Sequence, residues 1–204
     1  MSGEVKDANE NPGFPEGESG ERMLTRMNEH HRPLREWGFS FIEWWPGMEI
    51  LDVGCGGGAA VHDMLELSEG SIVKGIDYSA KSIEMSEAMN AEAIKYERCR
   101  IEKADVVRMP FLDNEFDLVT AIETMYFWED PVAATREIRR VLRPDKMLVV
   151  MAEASVPTEK DNDYPIPVKV RSAEETLEIL REAGFAECKA EERDDGSICV
   201  MGIK

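Results

Sequence analysis

The sequence predicts an α/β fold: a doubly wound, mostly parallel sheet of seven strands that ends in an antiparallel hairpin. Three observations predict it. Short apolar segments alternate with helical segments between residues 49 and 152, which is typical of parallel strands joined by helical crossovers. A glycine-rich stretch, Gly54 to Gly58, follows the first apolar segment, as at the start of a βαβ unit. Asp195-Gly196 joins the last two apolar segments, as a hairpin turn would.

The elements follow in order from local signals. The alternating part of the chain predicts five strands, at residues 49–53, 71–77, 100–104, 116–122 and 147–152. Helices are predicted between strands at residues 59–67, 80–96 and 131–143, where Ser79 and Asp130 are the N-caps of the second and third. After a long connection at residues 153–171, a capping box at Ser172 begins a last helix and Gly184 ends it. The hairpin strands are predicted at residues 185–191 and 197–203.

Composition predicts one domain behind an N-terminal tail. A chain of 204 residues with 43% hydrophobic content is long enough for one α/β domain. Residues 1–21 are polar and rich in Gly, Pro, Glu and Asn, which predicts a disordered tail, and residues 22–204 form the domain. Residues 22–46 are predicted to form two short helices that cover the functional site. Their apolar stripe consists of Leu34, Trp37, Phe41, Ile42 and Trp45.

Charge and cysteine usage exclude several classes of protein. The net charge of −18 would repel a polyanion, so we expect no nucleic-acid partner. No apolar run approaches the roughly 20 residues of a membrane span, and the N-terminus has no apolar signal segment. The four cysteines are scattered without a C-x-x-C pair, which argues against a zinc site and against a disulfide framework. We therefore expect a cytoplasmic protein without a bound metal.

The glycine-rich stretch admits three interpretations. From Gly54 to Ala59 it is G-x-G-x-x-A, which fits a dinucleotide fingerprint. From Asp52 to Gly58 it is D-x-G-x-G-x-G, which adds an acid at the carboxyl end of the strand, suited to a ligand with an ammonium group. A turn without a ligand is the third. Bare backbone beside a helix N-terminus favours a small ligand with an anionic or polar end.

Further segments, taken in order and spacing, carry a resemblance to a known family. They are L-D-V-G-C-G-G-G at residues 51–58, G-I-D-Y-S at 75–79, A-D at 104–105, M-P-F at 109–111, F-D-L-V at 116–119 and E-I-R-R-V-L-R-P-D at 137–145. Residues 48–203 resemble the class I S-adenosylmethionine-dependent methyltransferases, within them the small-molecule, type 11 group related to quinone and sterol methylating enzymes. The resemblance implies a Rossmann-like fold. Asp145-Lys146 stands where the family usually has Gly-Gly, which changes a turn and not the cofactor site.

The resemblance implies S-adenosylmethionine as the cofactor and S-adenosylhomocysteine as its product. It implies that Asp77 accepts hydrogen bonds from the ribose hydroxyls, that Asp105 accepts one from the adenine amino group, and that Asp52 faces the ammonium group. The glycines then permit close approach of the methionine end of the cofactor, and carbonyl groups at the ends of strands complete the pocket around it. The implied cofactor-binding residues are Asp52, Val53, Gly54, Cys55, Gly56, Gly58, Asp77, Tyr78, Ser79, Ala104, Asp105, Val106, Ala121 and Ile122.

The predicted function is methyl transfer to a small-molecule acceptor by a monomer or homodimer. The candidate catalytic residues are Glu123, Tyr126 and His31. Three alternatives remain: a methyltransferase that acts on a protein or other macromolecule, an NAD(P)-dependent oxidoreductase, and a cofactor-binding module without catalysis. Dinucleotide use would not by itself explain the segment from Asp105 to Leu118 or the closing hairpin.

Overall fold

The computed structural model describes residues 11–153 and 168–204. Its strands are β1 Glu49–Val53, β2 Ile72–Asp77, β3 Cys99–Lys103, β4 Phe116–Ile122, β5 Leu142–Ala152, β6 Ala186–Glu192 and β7 Ile198–Ile203. They form one seven-stranded sheet in the order β3-β2-β1-β4-β5-β7-β6, and β7 runs antiparallel to both of its neighbours. The predicted fold class is confirmed. The first ten residues of the expected tail, and residues 154–167 of the long connection, lie outside the described residues.

Helices cover both faces of the sheet. They are α1 Gly17–His30, α2 Arg32–Phe39, α3 Ala59–Leu67, α4 Ala80–Met89, α5 Ala91–Lys95, α6 Pro131–Val141 and α7 Ala173–Glu182, with a 3₁₀ turn at Met125–Phe127. Successive side chains of a strand point to opposite faces, so Ile50 packs with α2 and α3 while Leu51 packs with α6 and α7. Across residues 11–153 and 168–204, no helix has both the length and the apolar character needed to cross a bilayer.

The strand order places a switch point between β1 and β4. From β1 the chain moves outward to β2 and β3, whereas β4 pairs with the other edge of β1 and continues to β5. Helices that follow neighbouring strands on opposite sides of such a point leave a crevice at the carboxyl ends of the strands. Any ligand of this fold is therefore expected beyond Val53 and Ile122.

The helix predicted at residues 80–96 is interrupted, and this corrects the sequence interpretation. Asn90 lies between α4 and α5 and is buried. Its side-chain Nδ2 donates to the carbonyl of Gly58 at 3.1 Å and to that of Ser86 at 2.9 Å. A contact across 32 residues of sequence thus fixes the break, and local propensity along the helix does not reveal it.

The fifth strand begins at Leu142, five residues earlier than predicted. Phe116 pairs with Leu142 and Leu118 pairs with Met147, so four residues bulge opposite a single residue of β4, Asp117. The carboxylate of Asp117 compensates by pairing with Arg143 at 2.6 Å. The bulge includes Asp145 with φ of 60°, an uncommon backbone for a residue other than glycine.

The N-terminal segment is ordered earlier than predicted, because α1 begins at Gly17 and residues 11–16 pack onto the domain. The carbonyl of Pro15 accepts a hydrogen bond from the hydroxyl of Ser79 at 2.8 Å, and the ring of Phe14 contacts Tyr78. The two predicted cover helices exist as α1 and α2. Their apolar stripe differs at Trp45, which is 36% exposed beyond the end of α2 and lies under the ammonium group of Lys146.

Candidate functional site

A cavity of about 780 Å³ opens at the carboxyl ends of β1, β2 and β4. Its volume is within the range of about 300–1,000 Å³ that ligand pockets occupy. Asp52 of β1, Asp77 at the end of β2 and Asp105 just after β3 all line it. Three acids separated by up to 53 positions in the sequence therefore converge on one crevice, as the sequence predicted.

The wall of this cavity is acidic. Besides the three strand-tip aspartates, the carboxylates that line it are Glu123, Glu129 and Asp130. Arg35 and His31 are its basic residues. An excess of carboxylates in a partly enclosed space produces a negative potential that favours cations over anions.

The glycine-rich loop is fixed to β2 by hydrogen bonds, and part of its backbone faces the cavity. The amide groups of Gly54 and Cys55 donate to the carbonyl of Ile76, at 2.8 and 3.0 Å. Gly54, Gly56 and Gly58 all have positive φ, at 73°, 50° and 85°. A Cβ added to Gly56 would meet only a methyl group 3.7 Å away, so the backbone of Gly56 faces free space in the cavity. This is the bare backbone that a closely approaching ligand requires.

Asp77 is oriented by two backbone amides. Its Oδ2 accepts from the amide of Gly56 at 3.0 Å and its Oδ1 accepts from the amide of Ser79 at 2.8 Å. An ionised carboxylate has about four acceptor positions, so about two remain for a ligand. Burial raises the pKa of Asp77, although the backbone hydrogen bonds oppose this effect. A bound ligand that donates two hydrogen bonds would satisfy the remaining positions.

The acid after the third strand, Asp105, accepts fewer backbone hydrogen bonds than Asp77. Asp105 lies beyond β3, and its Oδ1 accepts from the amide of Val107 at 3.1 Å. The amide of Ala104 donates to the carbonyl of Asp77, which fixes this loop beside the second strand tip. Val106 and Val107 add apolar surface to the same wall. An acid beside an apolar patch suits a flat ring that carries a hydrogen-bond donor.

Asp52 is the most buried of the three acids. Its Oδ1 accepts from the hydroxyl of Thr120 on β4 at 2.7 Å, and its side chain lies 2% exposed. Burial raises the pKa of Asp52 to about 7, from an ordinary value of 3.8. Arg35 of α2 lines the same part of the cavity, and its Nε pairs with Asp63 at 2.8 Å. An acid and a base thus border one end of the cavity.

The raised pKa of Asp52 predicts a pH dependence of stability. The folded protein binds a proton here that the unfolded chain releases, so the free energy of unfolding falls as pH rises from about 4 to about 7. Asp52→Asn keeps the shape and removes the ionisation. We expect the free energy of unfolding of Asp52→Asn, relative to that of the wild type, to increase from pH 5 to pH 8 when both are unfolded in urea without cofactor. Parallel profiles for the two proteins would contradict this assignment.

The predicted catalytic residues form one cluster near the ends of β4 and β5. Glu123 follows β4 with φ of 56°, an uncommon backbone for a non-glycine residue, and accepts a hydrogen bond from the hydroxyl of Tyr126. Its Oε1 also accepts from the amide of Glu153 at 2.5 Å. Nδ1 of His31 lies 4.0 Å from Oε2 of Glu123 and 3.1 Å from Oε1 of Glu153. The ends of β4 and β5 and the link between α1 and α2 therefore meet here.

The two carboxyl groups of this cluster differ in their proton affinity. Burial raises the pKa of Glu123. Burial acts in the same direction on Glu153, but the neighbouring histidines outweigh it and lower the pKa of Glu153. Nε2 of His30 lies 3.1 Å from Oε2 of the same carboxylate. The ligand atoms of His30, His31 and Glu153 lie within 4.8 Å of one another, so the geometry admits a cation where the sequence predicted none.

The structure brings most of the predicted residues to the cavity, and leaves some behind its wall. Those that line it are His31, Asp52, Gly54, Cys55, Gly56, Asp77, Tyr78, Ala104, Asp105, Val106, Ile122 and Glu123. Val53 and Ala121 are instead buried in the sheet beneath the loop. Gly58 and Ser79 are helix N-cap residues, of α3 and α4. Tyr126 acts on the site through Glu123 and does not line the cavity itself.

Several lining residues were not among the individually named site candidates. They are Pro12, Gly13, Leu24, Met27, Asn28, Arg35, Gly57 and Thr124, among others. Arg35 carried a usable signal, since it is four residues before Phe39 and shares the buried side of α2. Asn28 carried none: its Nδ2 donates to the carbonyl of Gly57 at 3.1 Å, a contact that only the fold creates.

Residues 51–150 match the model of a protein family described as a methyltransferase domain. Among curated proteins, the chain is 34% identical over 152 residues to cycloartenol-C-24-methyltransferase 1 from Oryza sativa subsp. japonica, an alignment that covers 69% of this chain and 44% of that protein. The chain spans about half the length of the curated relatives it matches.

Two solved structures have the same fold. One is the putative methyltransferase in complex with the Haloferax volcanii Trm112 methyltransferase activator, with a TM-score of 0.78 at 19% identity over 89% of this chain and 93% of that one. The other is an S-adenosylmethionine-dependent methyltransferase from Aquifex aeolicus, with a TM-score of 0.75 at 20% identity over 89% of this chain and 97% of that one.

Proposed function

The chain belongs to the class I S-adenosylmethionine-dependent methyltransferases, and on that basis we propose that it transfers the sulfonium methyl group to a small-molecule acceptor bound in the cavity. The observation that carries the proposal is the convergence of three strand-tip acids on one crevice beside bare glycine backbone. A cofactor with an ammonium group, a ribose diol and a purine amine offers one donor group for each acid.

The residues fit such a cofactor in a definite order along the cavity. Asp77 has two unused acceptor positions for the two ribose hydroxyls, and Asp105 with Val106 receives the purine. The ammonium and carboxylate groups of the methionine end face Asp52 and Arg35. The open side of Gly56 lets the chain between them lie against the loop.

When bound, the cofactor supplies an activated methyl group on a sulfonium, so the protein needs no nucleophile of its own. The contribution of the chain is to align the acceptor and to exclude water. We propose that His31 and Glu123 contact the acceptor, because both line the cavity and lie 4.0 Å apart, and that Tyr126 holds Glu123 in place. An acidic wall favours a neutral or cationic acceptor.

The free state of all four cysteines supports the reducing cytoplasm as the compartment.

Calorimetric titration tests the cofactor. We expect S-adenosylmethionine and S-adenosylhomocysteine to bind the purified protein and NAD and NADP not to bind. Binding of NAD alone would replace methyl transfer with dinucleotide chemistry. A transfer assay with [methyl-¹⁴C]S-adenosylmethionine and a metabolite extract then separates an enzyme from a binding module, and a parallel assay with extracted proteins separates small from macromolecular acceptors.

Arg35 should contribute to affinity only for ligands that carry a carboxylate. We expect Arg35→Gln to weaken the binding of S-adenosylmethionine by about tenfold, since a hydrogen bond to a charged group contributes about 1.5–3 kcal/mol. Binding of 5′-methylthioadenosine, which lacks the amino acid portion, should not change. Arg136→Gln is the matched control, because this exposed arginine lies on α6 outside the cavity. Equal loss for both ligands would mean that Arg35 acts through the fold.

A further inference from the structure

The link between α1 and α2 places one imidazole in an unusual environment. The side chain of His31 is 14% exposed and lines the cavity. Its Nδ1 is fully buried, and Oε1 of Glu153 lies 3.1 Å away, within ion-pair distance. A carboxylate this close to a buried histidine nitrogen favours the protonated form of the ring.

The carboxylates around this ring are themselves fixed. Glu123 is held by Tyr126 and by the amide of Glu153, so it cannot turn away from the cluster. Glu153 carries the lowered pKa and is the ionised neighbour of the ring. His30, whose side chain is 67% exposed, pairs with the other oxygen of Glu153. Within the part of the chain that the structure describes, Glu123, Glu153 and His30 lie beside the imidazole of His31, and Tyr126 is bonded to Glu123.

The orientation of the ring assigns different tasks to its two nitrogens. Nδ1 faces the carboxylates, and Nε2 is the remaining nitrogen of a ring whose residue lines the cavity. A carboxylate beside one nitrogen fixes the tautomer and stabilises the imidazolium that forms when the other nitrogen takes a proton. We propose that His31, held by Glu153, is the base that takes the proton from a hydroxyl group of the acceptor. This inference rests on the proposed function.

The reaction balances without any further reactant. The oxygen of the acceptor forms a bond to the methyl carbon, while the bond between that carbon and sulfur breaks and its electron pair remains on sulfur. The hydroxyl proton goes to Nε2 of His31, and the resulting positive charge lies beside Glu153. An alkene carbon forms no hydrogen bond to this polar cluster. A hydroxyl group both donates a hydrogen bond to the cluster and needs a base to remove its proton.

The first experiment identifies the methylated atom. Wild-type protein is incubated with [methyl-¹⁴C]S-adenosylmethionine and a metabolite extract, and labelled products are sorted by mass spectrometry into O-, N-, S- and C-methyl compounds. O-methyl products support the assignment. Label on nitrogen, sulfur or carbon overturns it while leaving the proposed function intact. No label on any product, with the cofactor bound, overturns the proposed function and the base with it.

The second experiment tests the two residues on the same acceptor extract. We expect His31→Gln to lower the transfer rate by about 10²–10⁴-fold, the usual contribution of a general base, with cofactor affinity unchanged. Glu153→Gln should cause a smaller loss and move the ascending limb of the pH–rate profile to lower pH, because the imidazolium loses its counter-charge. His62→Gln, in the exposed third histidine on α3, is the matched control and should retain the wild-type rate and profile.

Two outcomes would overturn the role of His31. One is an unchanged rate in His31→Gln. The other is a rate that EDTA abolishes and added Zn²⁺ or Mn²⁺ restores, with metal binding lost in both His30→Gln and Glu153→Gln. That result would identify the cluster as a metal site of the two-histidine, one-carboxylate type.

Discussion

Asp77→Ala is expected to weaken binding of S-adenosylmethionine by about 100-fold. The variant removes a charged acceptor from two ribose hydroxyls, and a loss of about 3 kcal/mol corresponds to that factor. It also removes the acceptor of the Gly56 amide, so the glycine-rich loop loses a contact on the cavity side. Calorimetric titration with S-adenosylmethionine and S-adenosylhomocysteine measures the effect, and both ligands should weaken to a similar degree because both carry the ribose.

Two further variants test whether the effect is specific to the carboxylate of Asp77. Asp77→Asn keeps the volume of the side chain but reduces its capacity to accept, so its affinity should fall between those of the wild type and Asp77→Ala. Asp194→Ala changes an exposed acid in the hairpin turn, outside the cavity, and should bind both ligands as the wild type does. Unchanged affinity in Asp77→Ala would place the ribose elsewhere.

Gly54→Ala is expected to destabilise the protein and to abolish cofactor binding. The φ of 73° costs an alanine about 1–2 kcal/mol, and the new Cβ would lie 2.8 Å from Cβ of Thr124, the residue that follows Glu123. Overpacking adds a cost of about 1–3 kcal/mol. We expect the free energy of unfolding to fall by about 3 kcal/mol or more, as measured in urea.

Gly70→Ala separates backbone strain from collision. Gly70 has a similar φ of 71° in the turn before β2, and a Cβ there meets nothing within 4 Å. It should lose only the strain cost of about 1–2 kcal/mol and keep its cofactor affinity. Equal losses of stability in the two variants, with binding retained in both, would mean that the loop tolerates a side chain against Thr124.

The fold was predictable because its determinants repeat along the chain. Apolar strands and helices alternate in sequence, and each strand tip carries its own polar residue, so Asp52, Asp77 and Asp105 could be located before their convergence was known. Parallel pairing then requires that these tips lie at one edge of the sheet. The confirmed architecture follows from these local patterns combined with one topological rule.

What could not be predicted depends on contacts between distant segments. The break at Asn90 is accompanied by a side-chain hydrogen bond to Gly58, and the bulge at the early start of β5 by an ion pair between Asp117 and Arg143. The pairing of Arg35 with Asp63 likewise joins two different helices. Periodicity describes which side of a helix or strand is buried, and it does not report which buried polar group will find a partner.

The predicted site likewise combines residues that a local motif identifies with residues that only the fold brings together. A motif identifies the loop and its glycines, but it does not distinguish residues whose atoms face the ligand from residues that support them. Gly58 and Ser79 belong to the motif and serve as helix caps, whereas Gly57 was passed over and lines the cavity. The polar cluster around His31 was only partly predictable, because its members come from three parts of the chain that the sequence separates by about 30 to 120 positions.

The acidic lining of the cavity has a consequence for turnover. The methyl donor carries a positive charge on sulfur, and its spent form does not, so each transfer removes one unit of attraction between the nucleoside and a wall of carboxylates. On the proposed function, we therefore expect the by-product to bind more weakly than the donor, and the surrounding acids to favour its replacement by a fresh, charged donor.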